Sequence, residues 1–206
     1  MLTITDLAVE RDGRIIFEQI NLSLNSGELA LLHGPNGSGK TTLLRCLSGI
    51  VSPSAGNVYF QSTLNVQGDE KDLLYISHRS TLKSELTVSE NIRQHALWEK
   101  VAMTDESIEA MLIELDLLIY FDTEVQKLSE GQRRRLSLCR IWFSKSLLWL
   151  LDEPFVSLDA QYQQLLANLI SNHCQNGGAV ILTSHQALPN ALIPTKTIKM
   201  SGKGPW

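Results

Sequence analysis

The sequence of 206 residues predicts an α/β protein, in which a parallel α/β core is combined with an antiparallel β segment and an inserted helical segment. Three observations predict this class. The last third of the chain alternates between strand-like and helix-like periods, which is typical of parallel sheets. The first 24 residues carry apolar side chains at period 2. Between these regions, from about Ser80 to Ser146, apolar residues recur at helical spacing.

The N-terminal segment Leu2–Leu24 predicts an antiparallel hairpin. Apolar and polar residues alternate on both sides of Gly13, and glycine is a common turn residue because it has no Cβ. Strand character continues at Gly56–Gln61 and Leu73–Ser77. The first part of the chain is therefore expected to contain an antiparallel β subdomain.

The stretch GPNGSGKTT at residues 34–42 matches G-x-x-x-x-G-K-[ST], a loop that holds nucleotide phosphates. Glu28–His33 before it is typical of a strand, and Thr41–Ser48 after it is typical of a helix, whose N-terminus favours anions. Lys40 would bring a positive charge to the β- and γ-phosphates. A chance match would lack this setting, so the sequence predicts a P-loop NTPase core. The candidate nucleotide ligands are Gly34, Pro35, Asn36, Gly37, Ser38, Gly39, Lys40, Thr41 and Thr42.

The middle of the chain predicts an inserted helical subdomain. Val88–Ile92 and Ser107–Leu118 carry apolar residues at helical spacing, and Thr104 precedes the second of these as a candidate N-cap. We expect a single domain. Its expected parts are a β subdomain with the α/β core in residues 1–78 and 147–206, and the helical subdomain in about 79–146.

The run LLWLLDEP at residues 147–154 predicts a buried parallel strand that ends in two carboxylates. Ligands of α/β sheets bind at the carboxyl ends of the strands. Asp152 is therefore a candidate Mg²⁺ ligand together with the Thr41 hydroxyl, and Glu153 is a candidate base for an attacking water. The alternative is an ordinary acidic turn in water. The remaining predicted elements are a helix at Gln161–His173, a strand at Ala179–Thr183 and a short strand near Thr197–Met200.

The pentapeptide LSEGQ at residues 128–132 predicts a second helix N-terminus. Ser129 is a good N-cap, and Gly131 allows a ligand to approach the backbone closely. The residues that continue the helical spacing are Leu136, Cys139, Arg140 and Phe143. Such a terminus can accept an anion. The alternative is an ordinary capped amphipathic helix with a basic face in water.

Together the motifs carry a family resemblance. GPNGSGKTT, LSEGQ and LLWLLDEP are followed by SLD at residues 157–159 and by His185, and in this order the chain resembles the nucleotide-binding domain of ATP-binding-cassette transporters. The resemblance implies ATP and Mg²⁺ as ligands, Glu153 as the catalytic base and His185 as the histidine that senses the γ-phosphate. It also implies a homodimer with Asp159 at the seam. Ser129 and Gly131 would contact ATP held by the second subunit, and Gln132 is a further candidate for nucleotide binding.

Three positions depart from the family pattern, among them Glu130, which stands where the family has the second glycine of its signature pentapeptide. His78 stands where a glutamine is usual after a strand, and Arg11 stands where an aromatic residue usually stacks on adenine. Both remain candidates for nucleotide binding, because imidazole can bond a phosphate or a water and a guanidinium plane can stack on a base. The alternatives are a packed strand-end histidine and a solvated hairpin charge. With these departures the chain resembles one branch in particular, the ATP-binding subunit of the haem exporter in bacterial cytochrome c maturation.

The charge and the hydropathy of the chain limit the classes of partner that it can bind. The net charge of −4 and the pI of about 5.7 argue against a nucleic-acid binder that works by bulk charge. The most apolar stretch, Ile141–Leu151, is interrupted by Lys145 and is too short to span a bilayer. A membrane role would therefore come through a partner, and the resemblance implies an integral permease subunit, with this chain peripheral on the cytoplasmic face of the inner membrane. The cysteines Cys46, Cys139 and Cys174 are far apart, which favours a reducing compartment.

Several functions fit these observations to different degrees. The leading hypothesis is a motor ATPase that closes around two MgATP and drives a membrane partner. A second possibility is that the chain is the ATPase of another small transporter of the same family, which carries a different cargo. A soluble switch ATPase of this family is a further alternative, although such proteins usually carry two cassettes or a long coiled-coil insert. A small-molecule P-loop kinase would have no reason to carry LSEGQ and His185.

Overall fold

The computed structural model describes residues 1–61, 63–64 and 73–201. The strands are β1 (Leu2–Arg11), β2 (Arg14–Leu24), β3 (Leu29–His33), β4 (Ala55–Phe60), β5 (Thr63–Leu64), β6 (Leu73–Ile76), β7 (Leu148–Leu151), β8 (Ala179–Thr183) and β9 (Lys196–Lys199). The helices are α1 (Lys40–Leu47), α2 (Val88–Trp98), α3 (Asp105–Glu114), α4 (Glu130–Ser137), α5 (Arg140–Phe143) and α6 (Ala160–Gln175).

The described residues divide into two units. The first takes its residues from Met1–Ser77, Ser146–Pro154 and Ala167–Trp206. The second takes its residues from His78–Lys145 and Phe155–Leu166. The first unit contains the strands and α1, and the second contains α2 to α5. Helix α6 begins in the second unit and ends in the first.

An antiparallel sheet in the first unit has the strand order β2-β1-β4-β5. Strands β1 and β2 form the hairpin that the period-2 pattern predicted, with Arg11 opposite Arg14 at its tip. The turn residues Asp12 and Gly13 both have positive φ, 52° and 72°, which is the geometry of a tight hairpin turn. The pairing shifts register between Ile4 and Leu7, so β1 is not a regular strand throughout.

A parallel sheet in the same unit has the strand order β6-β7-β8-β3-β9. Its central strands β7 and β8 are buried at every residue, which explains why their sequences are nearly continuous apolar runs. Their side chains join Leu32 of β3 and Leu44 of α1 in one hydrophobic core. Parallel pairing places the carboxyl ends of β3, β7 and β8 at one edge of the sheet, where the candidate phosphate loop and carboxylates follow.

The second unit is built around capped helices. Thr87 caps α2 in a capping box with Glu90, and Thr104 caps α3 as its position predicted. Ile92, Ile108 and further buried apolar side chains form its core. No helix in the described part of the chain is both long enough and apolar enough to cross a membrane.

Two predicted helices differ from the observed ones. Helix α3 ends at Glu114 instead of Leu118, because Asp116 takes a left-handed φ of 51° and stops the helical hydrogen-bond pattern. The helix expected from Ser129 through Phe143 is interrupted after Ser137, whose Oγ donates to the Arg134 carbonyl at 2.7 Å. A serine bonded to its own helix backbone competes with the helical ladder, and α5 begins only at Arg140. The predicted strand end at Gln61 also lies one residue outside β4.

Candidate active site

The candidate phosphate loop connects the end of β3 to the start of α1. Gly39 is the N-cap of α1 with a left-handed φ of 95°, a conformation that favours glycine. Gly34 has no room for a side chain, because an added Cβ would lie 2.3 Å from the Met200 carbonyl oxygen and 2.8 Å from Ser38 Oγ. The two glycines thus hold the loop in a conformation that leads directly into the N-terminus of α1, which is suited to an anion.

Lys40 lies folded over this loop. Its Nζ donates to the carbonyl oxygens of Gly34 at 2.7 Å and Pro35 at 2.9 Å, and the residue is 6% exposed. Burial lowers the pKa of Lys40, while the nearby carboxylates of Glu153 and Asp152 oppose that shift. The loop therefore holds a buried cation in the field of two acidic groups.

Ser38 provides a test of whether a phosphate fits this loop. Its hydroxyl is buried, and among the described residues Ser38 Oγ has no hydrogen-bond partner. Leaving a buried hydroxyl unpaired costs about 1–3 kcal/mol. A phosphate oxygen is a strong acceptor that would pair it, so the loop fits the ligand that its sequence predicted.

Asp152 follows the last residue of β7 and is buried, with 1% of its surface exposed. Its Oδ2 accepts a hydrogen bond from Thr41 Oγ1 at 2.8 Å, and its Oδ1 accepts one from Thr183 Oγ1 at 2.9 Å. The structure therefore joins the two residues predicted to bind a metal. A hydroxyl and a carboxylate are oxygen donors of the kind that Mg²⁺ prefers.

Glu153 is held from both its backbone and its side chain. Its backbone N–H donates to Thr183 Oγ1 at 2.8 Å, and its Oε1 lies 2.7 Å from His185 Nε2. Its φ is 53°, a left-handed conformation that costs a residue with a side chain about 1–2 kcal/mol. Only 14% of its side chain is exposed, whereas 39% of the His185 side chain is exposed. A strained, anchored carboxylate beside a histidine can polarise a water molecule.

The other candidate residues of the first unit lie around the loop or on the hairpin. Pro35, Asn36 and Gly37 are exposed at the tip of the loop, and Thr42 is half-buried in the first turn of α1. Arg11 ends β1 with 82% of its side chain exposed, and its Nε lies 3.6 Å from Asp12 Oδ2. Its contact with a base remains a prediction.

The second unit brings together Ser129, Gly131, Gln132 and Asp159. Ser129 Oγ accepts from the Gln132 N–H at 3.3 Å, and Gln132 Oε1 accepts from the Ser129 N–H at 2.8 Å, so Ser129 caps α4 as predicted. A cavity of about 120 Å³ lies beside this cap. Its lining residues are Ser129, Gly131, Gln132, Arg135, Ser157, Leu158, Asp159 and Tyr162.

His78 is the first residue of the second unit and is exposed. The part that it takes in nucleotide binding therefore remains a prediction that rests on its position after β6.

Sequence reasoning missed Thr183. Its hydroxyl accepts from the Glu153 N–H and donates to Asp152, so it connects both acidic residues. The available signal was a threonine at the end of the apolar run AVILT, where the sheet edge was predicted to bind ligands. Thr183 is 0% exposed. A buried position normally holds an apolar residue, so a threonine there indicates that its hydroxyl has hydrogen-bond partners.

The chain matches a family model described as ABC transporter over residues 17–156. It is 40% identical over 190 residues to the cytochrome c biogenesis ATP-binding export protein CcmA of Vibrio cholerae, which covers 90% of this chain and 91% of that protein. It is 38% identical over 207 residues to the protein of the same name from Escherichia coli O6:H1. This alignment covers 99% of this chain and 98% of that protein.

Solved structures share the fold. An ABC transporter ATP-binding protein from Pyrococcus furiosus superposes with a TM-score of 0.83 at 23% identity and covers 97% of this chain and 96% of that chain. The dimeric post-hydrolysis state of the cassette MJ0796 with ADP and Pi superposes with a TM-score of 0.80 at 21% identity. The superposition covers 98% of this chain and 94% of that chain. These likenesses confirm the predicted fold class. The family match and the two CcmA relatives confirm the family that the motifs indicated, and the chain belongs to the ABC transporter family as an ATP-binding, ATP-hydrolysing cassette.

Proposed function

We propose that this cassette is the ATPase subunit of a haem exporter that serves cytochrome c maturation. The observation that carries the proposal is the identity of 36–40% with proteins named cytochrome c biogenesis ATP-binding export protein over at least 90% of the chain. The phosphate loop and the acidic pair support an ATPase, and the likeness to these relatives favours that branch over one with another cargo. The chain acts as one cassette domain of residues 1–206, with a helical subdomain in about 79–146.

The phosphate loop binds the nucleotide. The backbone N–H groups at the start of α1 and the Lys40 ammonium bind the phosphates, and Ser38 Oγ donates to a phosphate oxygen. Gly34, Gly37 and Gly39 keep the loop backbone accessible, while Pro35, Asn36 and Thr42 complete it. Arg11 stacks on the adenine, and His78 bonds a phosphate or its water in place of the usual glutamine.

Thr41 and Asp152 are the residues that would hold Mg²⁺, since their oxygens lie 2.8 Å apart. Bound there, Mg²⁺ supplies positive charge to the phosphate oxygens of ATP. Thr183 fixes the second oxygen of Asp152, so the carboxylate keeps its orientation toward Thr41.

Glu153 acts as the base that prepares water for attack on the γ-phosphorus. The Glu153 carboxylate accepts a proton from the water while the water oxygen forms a bond to the γ-phosphorus. The bond between the γ-phosphorus and the β–γ bridging oxygen breaks at the same time, which gives ADP and phosphate. The Thr183 bond to its backbone and the His185 contact to its Oε1 keep the carboxylate in place. His185 senses the γ-phosphate and transmits its presence to Glu153.

Hydrolysis takes place in a homodimer. Ser129, Gly131 and Gln132 line the cavity beside the N-terminus of α4. There they would contact the ATP that the other subunit holds, and Asp159 would lie at the seam between the subunits. The N–H groups and partial positive charge of that helix terminus suit the γ-phosphate. Two copies then enclose two MgATP, and closure moves the membrane partner.

The partner is an integral permease, and the chain is peripheral on the cytoplasmic face of the inner membrane, where ATP is. The segment from Ser80 to Ile92 in the helical subdomain would face this partner. Its Leu86 is only half-buried although it is apolar. A charge there, as in Leu86→Asp, should block docking and leave ATP binding intact, because an unpaired charge at an interface is costly.

The test is complementation of a strain that lacks this protein. The strain should make apocytochrome c but no holo-cytochrome c, and the wild-type chain should restore holo-cytochrome c. Glu153→Gln and Lys40→Ala should fail to restore it while still being produced. Normal holo-cytochrome c in the deletion strain would refute the branch assignment, and restoration by Glu153→Gln would refute the need for hydrolysis.

A further inference from the structure

We propose that Arg135 is a positioning residue for ATP hydrolysis. It fixes helix α4 to the segment Phe155–Tyr162, which follows Glu153 in the chain. The N-terminus of α4, which would contact ATP, and this segment then move together as a rigid body. The inference rests on the proposed function, because it assigns a task within that ATPase to residues of the second unit.

Arg135 makes contacts in two directions at once. Its Nη1 donates to the Leu115 carbonyl at the end of α3 at 2.8 Å, and its Cζ lies 4.3 Å from the centroid of the Tyr162 ring. The side chain is 14% exposed, and Tyr162 is buried. A planar guanidinium can stack on a ring and donate in its own plane, whereas a lysine ammonium cannot do both with the same geometry.

Two further contacts join the same pieces. Arg134, the preceding residue of α4, is buried, and its Nε donates to the Val156 carbonyl at 3.2 Å. Ser157 Oγ lies at 3.5 Å from Glu130 Oε1 in the first turn of α4. Helix α4 is therefore attached to this segment near its start and along its length.

The attached segment is itself well defined. Ser157 has a left-handed φ of 62°, and Gln163 Nε2 donates to the Leu158 carbonyl at 3.0 Å. Asp159 Oδ1 accepts from the Tyr162 N–H at 3.1 Å and so caps α6. The segment begins directly after Pro154, so a single residue with a fixed φ separates it from Glu153. Fixing the segment therefore restricts the backbone that follows the catalytic carboxylate.

This arrangement predicts a specific kinetic effect. Arg135 acts through its neighbours, so its loss should lower kcat and leave the Kd of the subunit for MgATP unchanged. Removing a partly buried cation–π contact should lower kcat by about 3- to 30-fold. A loss of folded protein alone would lower the amount of active enzyme and not the turnover of each nucleotide-binding subunit.

The experiment uses the full chain and measures MgATP binding by calorimetry and turnover per binding site. The variants are Arg135→Ala, Arg135→Lys, Tyr162→Leu and Tyr162→Phe. Arg133→Ala is the matched control, because Arg133 lies on the same helix and is exposed. We expect lower kcat for Arg135→Ala, Arg135→Lys and Tyr162→Leu, and near wild-type kcat for Tyr162→Phe and Arg133→Ala. The double variant Arg135→Ala/Tyr162→Leu should be no slower than the slower single variant.

The outcomes separate this inference from the proposed function. A wild-type chain that binds MgATP without hydrolysing it would overturn the proposed function itself. A wild-type chain that hydrolyses ATP, with Arg135→Lys and Tyr162→Leu within about twofold of its kcat, would overturn the positioning role alone. If Arg135→Ala does not fold, Arg135→Lys and Tyr162→Leu decide, because Lys keeps the charge and Leu keeps an apolar side chain at the buried site.

Discussion

His185 Nε2 lies 2.7 Å from Glu153 Oε1, although the two residues follow different strands. Glu153 comes after β7 and His185 comes after β8, and these strands are paired in parallel with Leu151 opposite Leu182. The pairing brings both strand ends to the same edge of the sheet. A histidine beside the base of a phosphate-cleaving site can hold the carboxylate in one orientation through the reaction.

Glu153→Gln should bind ATP and stop turnover. The amide keeps the size of the side chain and can still bond His185, but it cannot accept a proton from water. We expect kcat to fall by about 10²- to 10⁴-fold, the usual worth of a positioned base. Size-exclusion chromatography with MgATP should then show an accumulated dimer. Steady-state hydrolysis at the wild-type rate would remove Glu153 from the role of base.

His185→Ala should slow hydrolysis because the Glu153 carboxylate loses its 2.7 Å contact. A hydrogen bond to a charged group is worth about 1.5–3 kcal/mol, so we expect a loss of about 10- to 100-fold in kcat. His185→Gln can still donate to the carboxylate and should retain more activity than the alanine variant. Equal rates for the two variants would show that the contact is not what matters.

Thr183→Val should destabilise the protein and reduce hydrolysis. Valine has nearly the same shape, but it leaves the Glu153 N–H and Asp152 Oδ1 without the hydroxyl that they share. The expected loss of unfolding free energy is about 1–3 kcal/mol, measured by urea denaturation. Thr183→Ser is the control, since it keeps the hydroxyl and loses about 1 kcal/mol with the methyl group. A valine variant as stable and active as wild type would contradict the role given to Thr183.

The sequence was sufficient for those features that depend on local pattern. The buried strands β7 and β8 are apolar runs of nearly constant hydrophobicity, and the phosphate loop is a fixed combination of residue types. The acidic end of β7 could also be assigned to the site, because ligands of parallel sheets bind at the carboxyl ends of the strands. These are constraints that act within a few residues of the chain.

The remaining features depend on pairings between distant residues. The role of Thr183 follows from the register between β7 and β8, which no single segment specifies. The break between α4 and α5 lies where the Ser137 hydroxyl donates to the Arg134 carbonyl, and helical periodicity alone does not encode it. The contact of Arg135 with Tyr162 joins residues from two helices and could not be anticipated from either segment.

Arg11→Ala should raise the Kd for ATP if this side chain stacks on adenine. A stack with a cationic group is worth about 0.5–2 kcal/mol, which corresponds to a rise of about two- to thirtyfold. Arg11→Tyr should restore most of the affinity, because tyrosine offers a ring to the base. An alanine variant that binds ATP like wild type would make Arg11 a surface charge of the hairpin.

His95 should make stability depend on pH. Burial, and then the charge of Arg140, lower its pKa from 6.5 to about 4, so the folded chain holds it neutral while the unfolded chain is protonated first. Stability is therefore complete above pH 6.5 and falls as the pH drops toward 4. At pH 5 the loss should be about 2 kcal/mol.

The measurement is urea denaturation at pH 7 and pH 5 of the wild type and of His95→Leu, which replaces the imidazole by an apolar side chain that cannot titrate. The variant should lose less stability between these two values. An identical loss in both proteins would mean that other groups cause the acid sensitivity.

The left-handed backbone conformation of Glu153 creates a conflict between thermal stability and catalytic activity at this position. At a φ of 53° glycine would be free of the strain that glutamate bears, and asparagine would bear less of it. Glycine at position 153 would therefore relieve about 1 kcal/mol of backbone strain, but it would also remove the His185 contact and the proposed catalytic base. Libraries aimed at a more robust enzyme should keep this one residue fixed and seek their improvements elsewhere.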